Sequence, residues 1–327
     1  MLRVAMLSKW HVHAPEYARR LGEMDDVKII CVWDEDAKRG AKWAADLGVD
    51  FESDLDKLLA REDVDAVCID TPTNMHKEIM IKCAKAKKHI YTEKVMCLTV
   101  KDCDEVIMAI EENNITFTIS LPQRAWPKFL FIKQAIESGM VGDVTVLRCR
   151  NCHDGALAGW LPDYWYDPET TGGGAMMDLG AHPMYLSAWM LGQPKRIVSM
   201  FCNRTGHAVE DNTISTIEFE GGAIAVSETS LVSPVCPAIF EVYGTKGVII
   251  AVDDEIKMRT VESAKTLANG GWVVPKLPEA LPHPTRQWVE AILYGKENRY
   301  GVKEARMLTS LMENAYIADR EKREVQF

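Results

Sequence analysis

Two side chains that can do acid–base chemistry lie four residues apart, directly after a run of glycines. Asp178 and His182 follow the triplet Gly172, Gly173 and Gly174. On a helix this spacing places both side chains on one face, one turn apart, where a carboxylate can orient an imidazole for proton transfer. A surface ion pair at the start of a helix has the same spacing and a purely structural role. The elements around the pair must therefore decide between the two interpretations.

Strand and helix patterns alternate through the first third of the chain. Short apolar runs predict strands, and amphipathic runs predict helices. The predicted strands are Arg3 to Leu7, Val27 to Trp33, Val64 to Ile69, His89 to Thr92 and Thr116 to Ser120, and the predicted helices are Pro15 to Met24, Ala37 to Leu47, His76 to Lys85 and Val100 to Asn113. This alternation predicts an α/β domain in which helices cover both faces of a parallel sheet. Ligands of such sheets bind at the carboxyl ends of the strands.

Candidate cofactor and catalytic residues follow three of these strands. Asp34 ends the second strand, where an acid accepts hydrogen bonds from an adenosine ribose and repels a 2′-phosphate, which favours NAD over NADP. An Asp that caps the next helix is the alternative. The residues expected to line the cofactor after the third strand are Thr71, Pro72, Thr73 and His76. Glu93 and Lys94 follow the fourth strand, where a lysine can reach a reacting oxygen, although an exposed Glu-Lys pair is usually a solvated loop.

The segment after the first strand departs from the usual phosphate-binding pattern. A G-x-G-x-x-G motif is absent, and Ser8, Lys9, Trp10 and His11 stand in its place as expected cofactor contacts. Amides at the start of the next helix, with Ser8 and Lys9, are expected to hold phosphate instead. His11 and His13 lie on one side of an extended segment, which also suits a metal site. Because no third ligand is evident beside them, we expect no metal ion.

The rest of the chain has the features of a substrate domain. Aromatic residues precede the glycine triplet, and aromatic faces stack on the apolar C–H faces of sugars; the alternative is that these rings form core between domains. Alternating patterns from Arg196 to Ala251 predict adjacent antiparallel strands. The expected substrate contacts are Arg124, His153, Trp160, Trp165, Asp178 and His182. The expected partner is therefore a carbohydrate.

Composition limits the classes of partner. The 327 residues carry a formal net charge of −10, which argues against non-specific binding to nucleic acid or to acidic membranes. The chain has no run of about 18 apolar residues and no signal-peptide pattern, so a cytoplasmic protein is expected. When helices pack on only one face of a sheet, the other face stays exposed, and a second copy of the chain commonly packs against it. We therefore expect a homodimer or homotetramer.

Three ordered landmarks make the chain resemble the Gfo/Idh/MocA family of NAD(P)-dependent sugar and cyclitol oxidoreductases over nearly its whole length. Glu93-Lys94-Val95 is similar to the family's Glu-Lys-Pro signature, and Gly172 to His182 is similar to its glycine-rich Asp-x-x-x-His signature. The segment from Arg124 to Gly142 is similar to the family's crossover between domains. The resemblance implies an N-terminal Rossmann dinucleotide-binding domain, residues 1–121, and a C-terminal α/β domain with a large, mostly antiparallel sheet, residues 122–327, whose last helices return to the first domain.

The resemblance also implies a catalytic group and a reaction. Lys94, Asp178 and His182 match the family's motifs, and they would act on a secondary hydroxyl of a sugar, glycoside or cyclitol with NAD as hydride acceptor. Val95 replaces the family's proline, which often adopts a cis bond, and this change can alter the angle at which Lys94 enters the site. Two other functions stay open. One is a glycosidase that oxidises its substrate transiently and then eliminates the glycosidic group, and the other is a non-catalytic sugar or nucleotide sensor.

Overall fold

The computed structural model of the protein describes residues 1–268 and 270–327, which form two compact units. The first unit contains residues 1–121 and 282–309, and the second unit contains residues 122–281 and 310–327. Each unit is built on its own sheet, and the two sheets differ in the directions of their strands.

The sheet of the first unit consists of parallel strands. They are β1 (Leu2–Leu7), β2 (Val27–Trp33), β3 (Asp50–Phe51), β4 (Ala66–Ile69), β5 (His89–Thr92) and β6 (Phe117–Ile119). Their order across the sheet is β3-β2-β1-β4-β5-β6, and every neighbouring pair is parallel. The order reverses between β1 and β4, which is the point where doubly wound sheets bind ligands. The predicted parallel α/β fold is confirmed.

Helices alternate with the strands of the parallel sheet, as expected, and further helices follow later in the chain. They are α1 (Ala14–Gly22), α2 (Ala37–Leu47), α3 (Leu55–Ala60), α4 (His76–Lys85), α5 (Val100–Glu112), α6 (Pro127–Glu137), α7 (Gly155–Ala158), α8 (Pro168–Thr171), α9 (Ala181–Leu191), α10 (Val261–Thr266), α11 (Pro284–Tyr294) and α12 (Val302–Glu321). Asp36, Asp54 and Thr99 cap α2, α3 and α5 by accepting hydrogen bonds from backbone N–H groups of the first turn. The short elements β3 and α3 are absent from the sequence prediction because neither is long enough to show a periodicity.

A late segment of the chain completes the core of the first unit. The side chain of Trp288, on α11, is fully buried, and its ring centroid lies 5.6 Å from that of Tyr91 on β5. Arg286 on the same helix makes an ion pair of 2.7 Å with Asp26. The core of this unit therefore depends on contacts between residues that are more than half of the chain apart.

The sheet of the second unit is mixed and mostly antiparallel, as predicted. Its strands are β7 (Val144–Cys152), β8 (Pro194–Cys202), β9 (Asn212–Phe219), β10 (Ile224–Ser230), β11 (Ile239–Gly244), β12 (Gly247–Val252), β13 (Glu255–Thr260), β14 (Trp272–Val273) and β15 (Val325–Gln326). Their order is β14-β13-β12-β11-β7-β10-β9-β8-β15, with β7 and β10 parallel. Helix α9 packs on β7 and β10. None of the helices in the described residues combines the length and the apolar character that a membrane span needs.

Candidate functional site

The glycine triplet of the second unit makes room for a side chain and a backbone carbonyl group from distant parts of the chain. A Cβ atom on Gly173 would overlap the hydroxyl of Tyr316, and one on Gly174 would overlap the backbone carbonyl oxygen of Glu210. The Oε1 atom of Glu210 accepts hydrogen bonds from Tyr316 Oη at 2.6 Å, from Gly174 N at 2.9 Å and from Met176 N at 3.0 Å. Glu210 and Tyr316 thus fix the entry to the helix that follows. Sequence reasoning missed both because they lie far from the motif in the chain.

Asp178 and His182 lie on one continuous helical stretch of the second unit. A π-helical turn (Met176–Gly180) leads directly into α9, and both side chains are half-buried. π-Helical turns of this kind occur frequently at functional sites. Trp165 Nε1 donates to Asp178 Oδ2 at 3.3 Å, and His182 Nδ1 lies 3.0 Å from Tyr185 Oη. Tyr185, one turn after His182, orients the imidazole and was missed in the sequence analysis.

The predicted sugar-binding aromatic residues have different environments. Trp165 is buried, with 4% of its surface exposed, whereas Trp160 is 57% exposed. The ring of His153 lies 4.7 Å from that of Trp160, and its Nδ1 accepts a hydrogen bond from Gly155 N at 3.0 Å. Burial lowers the pKa of His153 although the charge of Asp178 acts in the opposite direction, so the neutral ring presents an Nε2–H donor. Trp160 and His153 can therefore contact a ligand, while Trp165 supports Asp178.

Arg124, the remaining predicted substrate contact, lies in a short 3₁₀-helix (Pro122–Ala125) of the second unit. Its guanidinium carbon is 5.1 Å from the ring centroid of Trp189 on α9, a cation–π arrangement. This contact ties the 3₁₀-helix to the same helix that bears His182.

Glu93 and Lys94 of the first unit are buried, so the solvated-loop alternative is wrong. Glu93 is 2% exposed and Lys94 is 6% exposed, and Lys94 Nζ lies 3.4 Å from Glu93 Oε1. The other oxygen, Oε2, accepts from the hydroxyl of Tyr17 and lies 3.2 Å from His13 Nδ1. Burial acts to raise the pKa of Glu93, but the charges of Lys94, His11 and His13 outweigh it and lower the pKa. The peptide bond between Lys94 and Val95 is cis.

The imidazole of His76 supports the main chain of two turns. The ring is buried, and its Nδ1 lies 2.8 Å from the carbonyl oxygen of Val95 while its Nε2 lies 3.1 Å from that of Thr71. These carbonyls follow β5 and β4, respectively. Thr71 and Thr73 are themselves buried, and Pro72 lies between them. His76 therefore uses contacts with backbone carbonyls to position the two turns at which the cofactor is expected to bind.

The loop after β1 uses its own amide groups within the protein. Ser8 adopts φ = 73°, a conformation that favours glycine. Amides of this loop, those of Ser8 and Lys9 among them, donate to protein acceptors. The bonds run from Ser8 N to Trp33 O at 2.7 Å, Lys9 N to Asp34 Oδ2 at 2.9 Å, Trp10 N to Ser8 Oγ at 3.0 Å, His11 N to Asp70 O at 3.1 Å and His13 N to His11 Nδ1 at 3.2 Å. The loop therefore differs chemically from a glycine-rich phosphate cradle.

Asp34 is the centre of a polar cluster at the end of β2. Its side chain is fully buried, and it accepts hydrogen bonds from Lys9 N, from Asp36 N at 2.8 Å, and from Arg39 Nε and Nη2 at 3.0 and 2.7 Å. The alternative that Asp34 caps the next helix is wrong, because Asp36 is the cap. Arg39 was not considered in the sequence analysis. An Arg beside this position is the feature that accommodates a 2′-phosphate in related folds.

Comparison with protein-family models identifies both halves of the chain. Residues 9–121 match the model described as "Oxidoreductase family, NAD-binding Rossmann fold", and residues 129–250 match the model described as "GFO/IDH/MocA C-terminal domain". The two models follow one another in the order that the sequence landmarks predict.

Individual proteins are similar over most of the chain. The 2,7-anhydro-N-acetylneuraminate hydratase of Escherichia coli is 28% identical over 78% of this chain and 67% of its own length. The myo-inositol 2-dehydrogenase of Thermotoga maritima is 28% identical over 75% of this chain and 73% of its own length. The solved structure of GenD2 from gentamicin A biosynthesis, in complex with NAD, superposes with a TM-score of 0.85 at 24% identity and covers 100% of this chain and 96% of its own. That last likeness shows the fold.

Proposed function

Because the chain belongs to the Gfo/Idh/MocA family of oxidoreductases with a NAD-binding Rossmann fold, we propose that it transfers a hydride between nicotinamide and a secondary hydroxyl of a sugar, glycoside or cyclitol. The relative from Thermotoga maritima is a myo-inositol 2-dehydrogenase, which supports this substrate class. The observation that carries the proposal is the helical stretch on which Asp178 and His182 lie four residues apart, both half-buried.

Residues at the carboxyl edge of the first sheet fit a dinucleotide. Thr71 Oγ1 and Asp70 Oδ1 are buried and have no hydrogen-bond partner within the part of the chain that the structure describes. Both follow β4, at the point where the strand order reverses. Buried polar atoms without a partner are rare in native proteins, so a polar ligand is expected at this edge. NAD bound there would supply the acceptor for the hydride.

In the proposed reaction His182 acts as the base. Its Nε2 takes the hydroxyl proton, which requires that Nδ1 carry the ring hydrogen and donate it to Tyr185 Oη, 3.0 Å away. Asp178 stabilises the positive charge that the imidazole gains. Lys94 donates a hydrogen bond to the substrate oxygen and stabilises its alkoxide-like charge.

On the substrate side, Trp160 and His153 are suited to a carbohydrate. The exposed face of Trp160 can stack on the apolar C–H face of a sugar ring, and His153 Nε2–H can donate to a hydroxyl oxygen. These two side chains adjoin one another, with ring centroids 4.7 Å apart.

The test is NADH formation from a panel of inositols, hexoses and glycosides, with His182→Ala as the variant. We expect kcat to fall by at least about 100-fold, since a positioned base contributes that much, while the Kd for NAD stays unchanged. His207→Ala is the matched histidine control, because that ring stacks on Tyr166, with 3.6 Å between the ring centroids, and has no role in the proposed proton transfer. A His182→Ala variant with the turnover of the wild type would show that His182 is not the base. Bound NAD with no NADH from any member of the panel contradicts the substrate class.

A second candidate is a reaction with no net oxidation, in which the hydroxyl is oxidised, a group is eliminated and the ketone is reduced again. It is favoured by the Escherichia coli relative, which is a hydratase by name. Such a reaction regenerates its own cofactor, so the purified protein should consume a 2,7-anhydro sugar without added NAD and without accumulating NADH. Consumption that stops after one equivalent of NAD would instead indicate a net dehydrogenase.

We also propose that a second copy of the chain covers the open face of the second sheet. Val198 and Met200 on β8 and Ile214 on β9 are 49%, 69% and 49% exposed, and Met200 pairs directly with Ile214. Exposed neighbouring apolar side chains on a sheet favour an interface. Light scattering should give a dimer or tetramer, and Met200→Glu should shift it towards the monomer. A monomeric wild-type chain at micromolar concentration contradicts this proposal.

A further inference from the structure

Three potential metal ligands meet at the carboxyl edge of the first sheet. His11 and His13 lie in the turn between β1 and α1, and Glu93 follows β5. One ligand atom from each residue lies within 4.8 Å of the other two. Only β4 separates β1 from β5 in the sheet, which explains how residues 80 positions apart in the chain come together. Glu93 is the third potential ligand that the sequence alone did not reveal.

Distances within this cluster suit a single metal ion. His13 Nδ1 and Glu93 Oε2 are 3.2 Å apart. Two ligand atoms on a tetrahedral zinc ion, each bound at about 2.0–2.1 Å, are about 3.3 Å apart. A metal ion could therefore take the place of the proton that His13 and Glu93 share.

The second imidazole also offers a suitable lone pair. His11 Nδ1 accepts a hydrogen bond from the backbone N–H of His13 at 3.2 Å, so this nitrogen carries no hydrogen, and its lone pair would bind a metal ion in place of that hydrogen bond. His11 is 7% exposed, and its ring centroid lies 4.7 Å from that of His13. A shift of about 1.5 Å or less would bring the most distant ligand atoms of the cluster to the spacing of a zinc site.

The surroundings of Glu93 resemble the outer shell of a metal site. The hydroxyl of Tyr17 donates to Glu93 Oε2, and the same hydroxyl lies 2.7 Å from Ser120 Oγ. Lys94 Nζ contacts Oε1, the other oxygen. Hydrogen bonds of this kind hold a carboxylate ligand in one orientation.

We propose that His11, His13 and Glu93 bind one divalent transition-metal ion of the zinc class. Two imidazoles and one carboxylate form the donor set of zinc sites that keep a fourth position open, and this position would take water or an anionic oxygen of a ligand. The neighbouring loop uses its amides internally, so a metal ion here would supply the positive charge that a glycine-rich loop supplies through N–H groups.

The test measures metal binding by the full chain without NAD, so its outcome is independent of the proposed dehydrogenase activity. The protein is treated with chelator, dialysed against micromolar Zn²⁺ and analysed for metal per chain. We expect about one equivalent for the wild type, and affinity at least about 10-fold weaker for His11→Ala and His13→Ala, since even outer-shell changes cost that much. His207→Ala is the matched histidine control and should bind like the wild type.

A second measurement needs no variant. The wild-type chain loaded with Co²⁺ should show the visible d–d bands of a low-coordinate site with nitrogen and oxygen ligands, and one equivalent of Zn²⁺ should abolish them. Less than a tenth of an equivalent of Zn²⁺ on the wild type overturns the proposal. So do the absence of Co²⁺ bands, or a folded His13→Ala chain, checked by circular dichroism, that binds Zn²⁺ as tightly as the wild type.

Discussion

Two turns that lead into helices, one in each unit, differ in their use of glycine. The turn of residues 8–13, before α1, has no glycine, although Ser8 adopts φ = 73°. The glycine triplet before the π-helical turn approaches Tyr316 and Glu210, which leave no space for a Cβ atom at two of its positions. The comparison teaches that the surroundings of the backbone, rather than the turn itself, decide where glycine is required.

The same comparison separates two ways of building a site. In the second unit, backbone N–H groups of the triplet region donate to the half-buried carboxylate of Glu210, whose pKa is raised by partial removal from solvent. In the first unit, the amides of the turn donate to neighbouring backbone and side-chain acceptors, and the side chains of His11, His13 and Lys94 lie around Glu93. In the second unit, a carboxylate stabilises the turn by accepting hydrogen bonds from its amides. In the first unit, the turn instead contributes side chains that surround a carboxylate.

Gly173→Ala should have the largest effect on stability. The new Cβ atom would overlap the hydroxyl of Tyr316, which itself is held by Glu210, so either the backbone or Tyr316 must move. Overpacking of this kind costs about 1–3 kcal/mol, and the left-handed backbone (φ 157°) adds strain, so we expect a loss of about 3 kcal/mol. This loss of stability is measured as the decrease in the free energy of unfolding obtained from urea titration.

Gly159→Ala is the matched control for Gly173→Ala. Gly159 also has positive φ, 69°, but nothing lies within 4 Å of its Cβ position. Only the backbone strain of about 1–2 kcal/mol should then remain. Equal losses in the two variants would mean that close approach to Tyr316 does not explain the triplet.

Asp34→Ala tests the polar cluster that ties the turn of residues 8–13 to α2. Removal of the carboxylate takes two hydrogen bonds from Arg39, which keeps its ion pair with Glu35, and leaves a guanidinium at the ribose end of the expected cofactor position. We expect the ratio of the Kd for NADP to the Kd for NAD to fall by about 10-fold, which corresponds to about 1.4 kcal/mol. Titration of both nucleotides by calorimetry measures the ratio.

Asp36→Ala is the control for this specificity prediction. Asp36 caps α2 by accepting from the amides of Lys38 and Arg39, so its loss should lower stability by about 1 kcal/mol. It should leave the nucleotide preference unchanged. An unaltered preference in Asp34→Ala as well would show that the Asp34–Arg39 pair only stabilises the fold.

Local patterns were sufficient to predict most of the fold. The alternation of apolar strands and amphipathic helices predicted the parallel sheet, because each element expresses its own periodicity. The mixed sheet of the second unit was predicted from the family resemblance together with the alternating patterns in the sequence. The two-residue strands β3, β14 and β15 lie below the length at which a pattern can be recognised.

The site was harder to predict, because its supports are distant in the chain. Glu210 and Tyr316 lie 36 and 142 residues beyond the triplet, and no local pattern connects them with it. Glu93 was expected beside a cofactor, but its contacts with His13 and Tyr17 depend on the order of the strands. The hydrogen bonds of the amides in the turn of residues 8–13 could likewise not be predicted, because several of their acceptors lie on other strands or in the loops that follow them.

Ser8→Gly should have the smallest effect and gives the sharpest comparison with Gly173→Ala. Glycine would relieve the left-handed strain at residue 8, which costs a non-glycine residue about 1–2 kcal/mol. It would also remove the Ser8 Oγ atom, which accepts from Trp10 N at 3.0 Å and from Arg39 Nη2 at 3.3 Å, a loss of similar size. The free energy of unfolding should therefore change by less than about 1 kcal/mol. A gain well above this value would show that the serine hydroxyl contributes little, and a loss well above it would make Ser8 Oγ the main support of the turn.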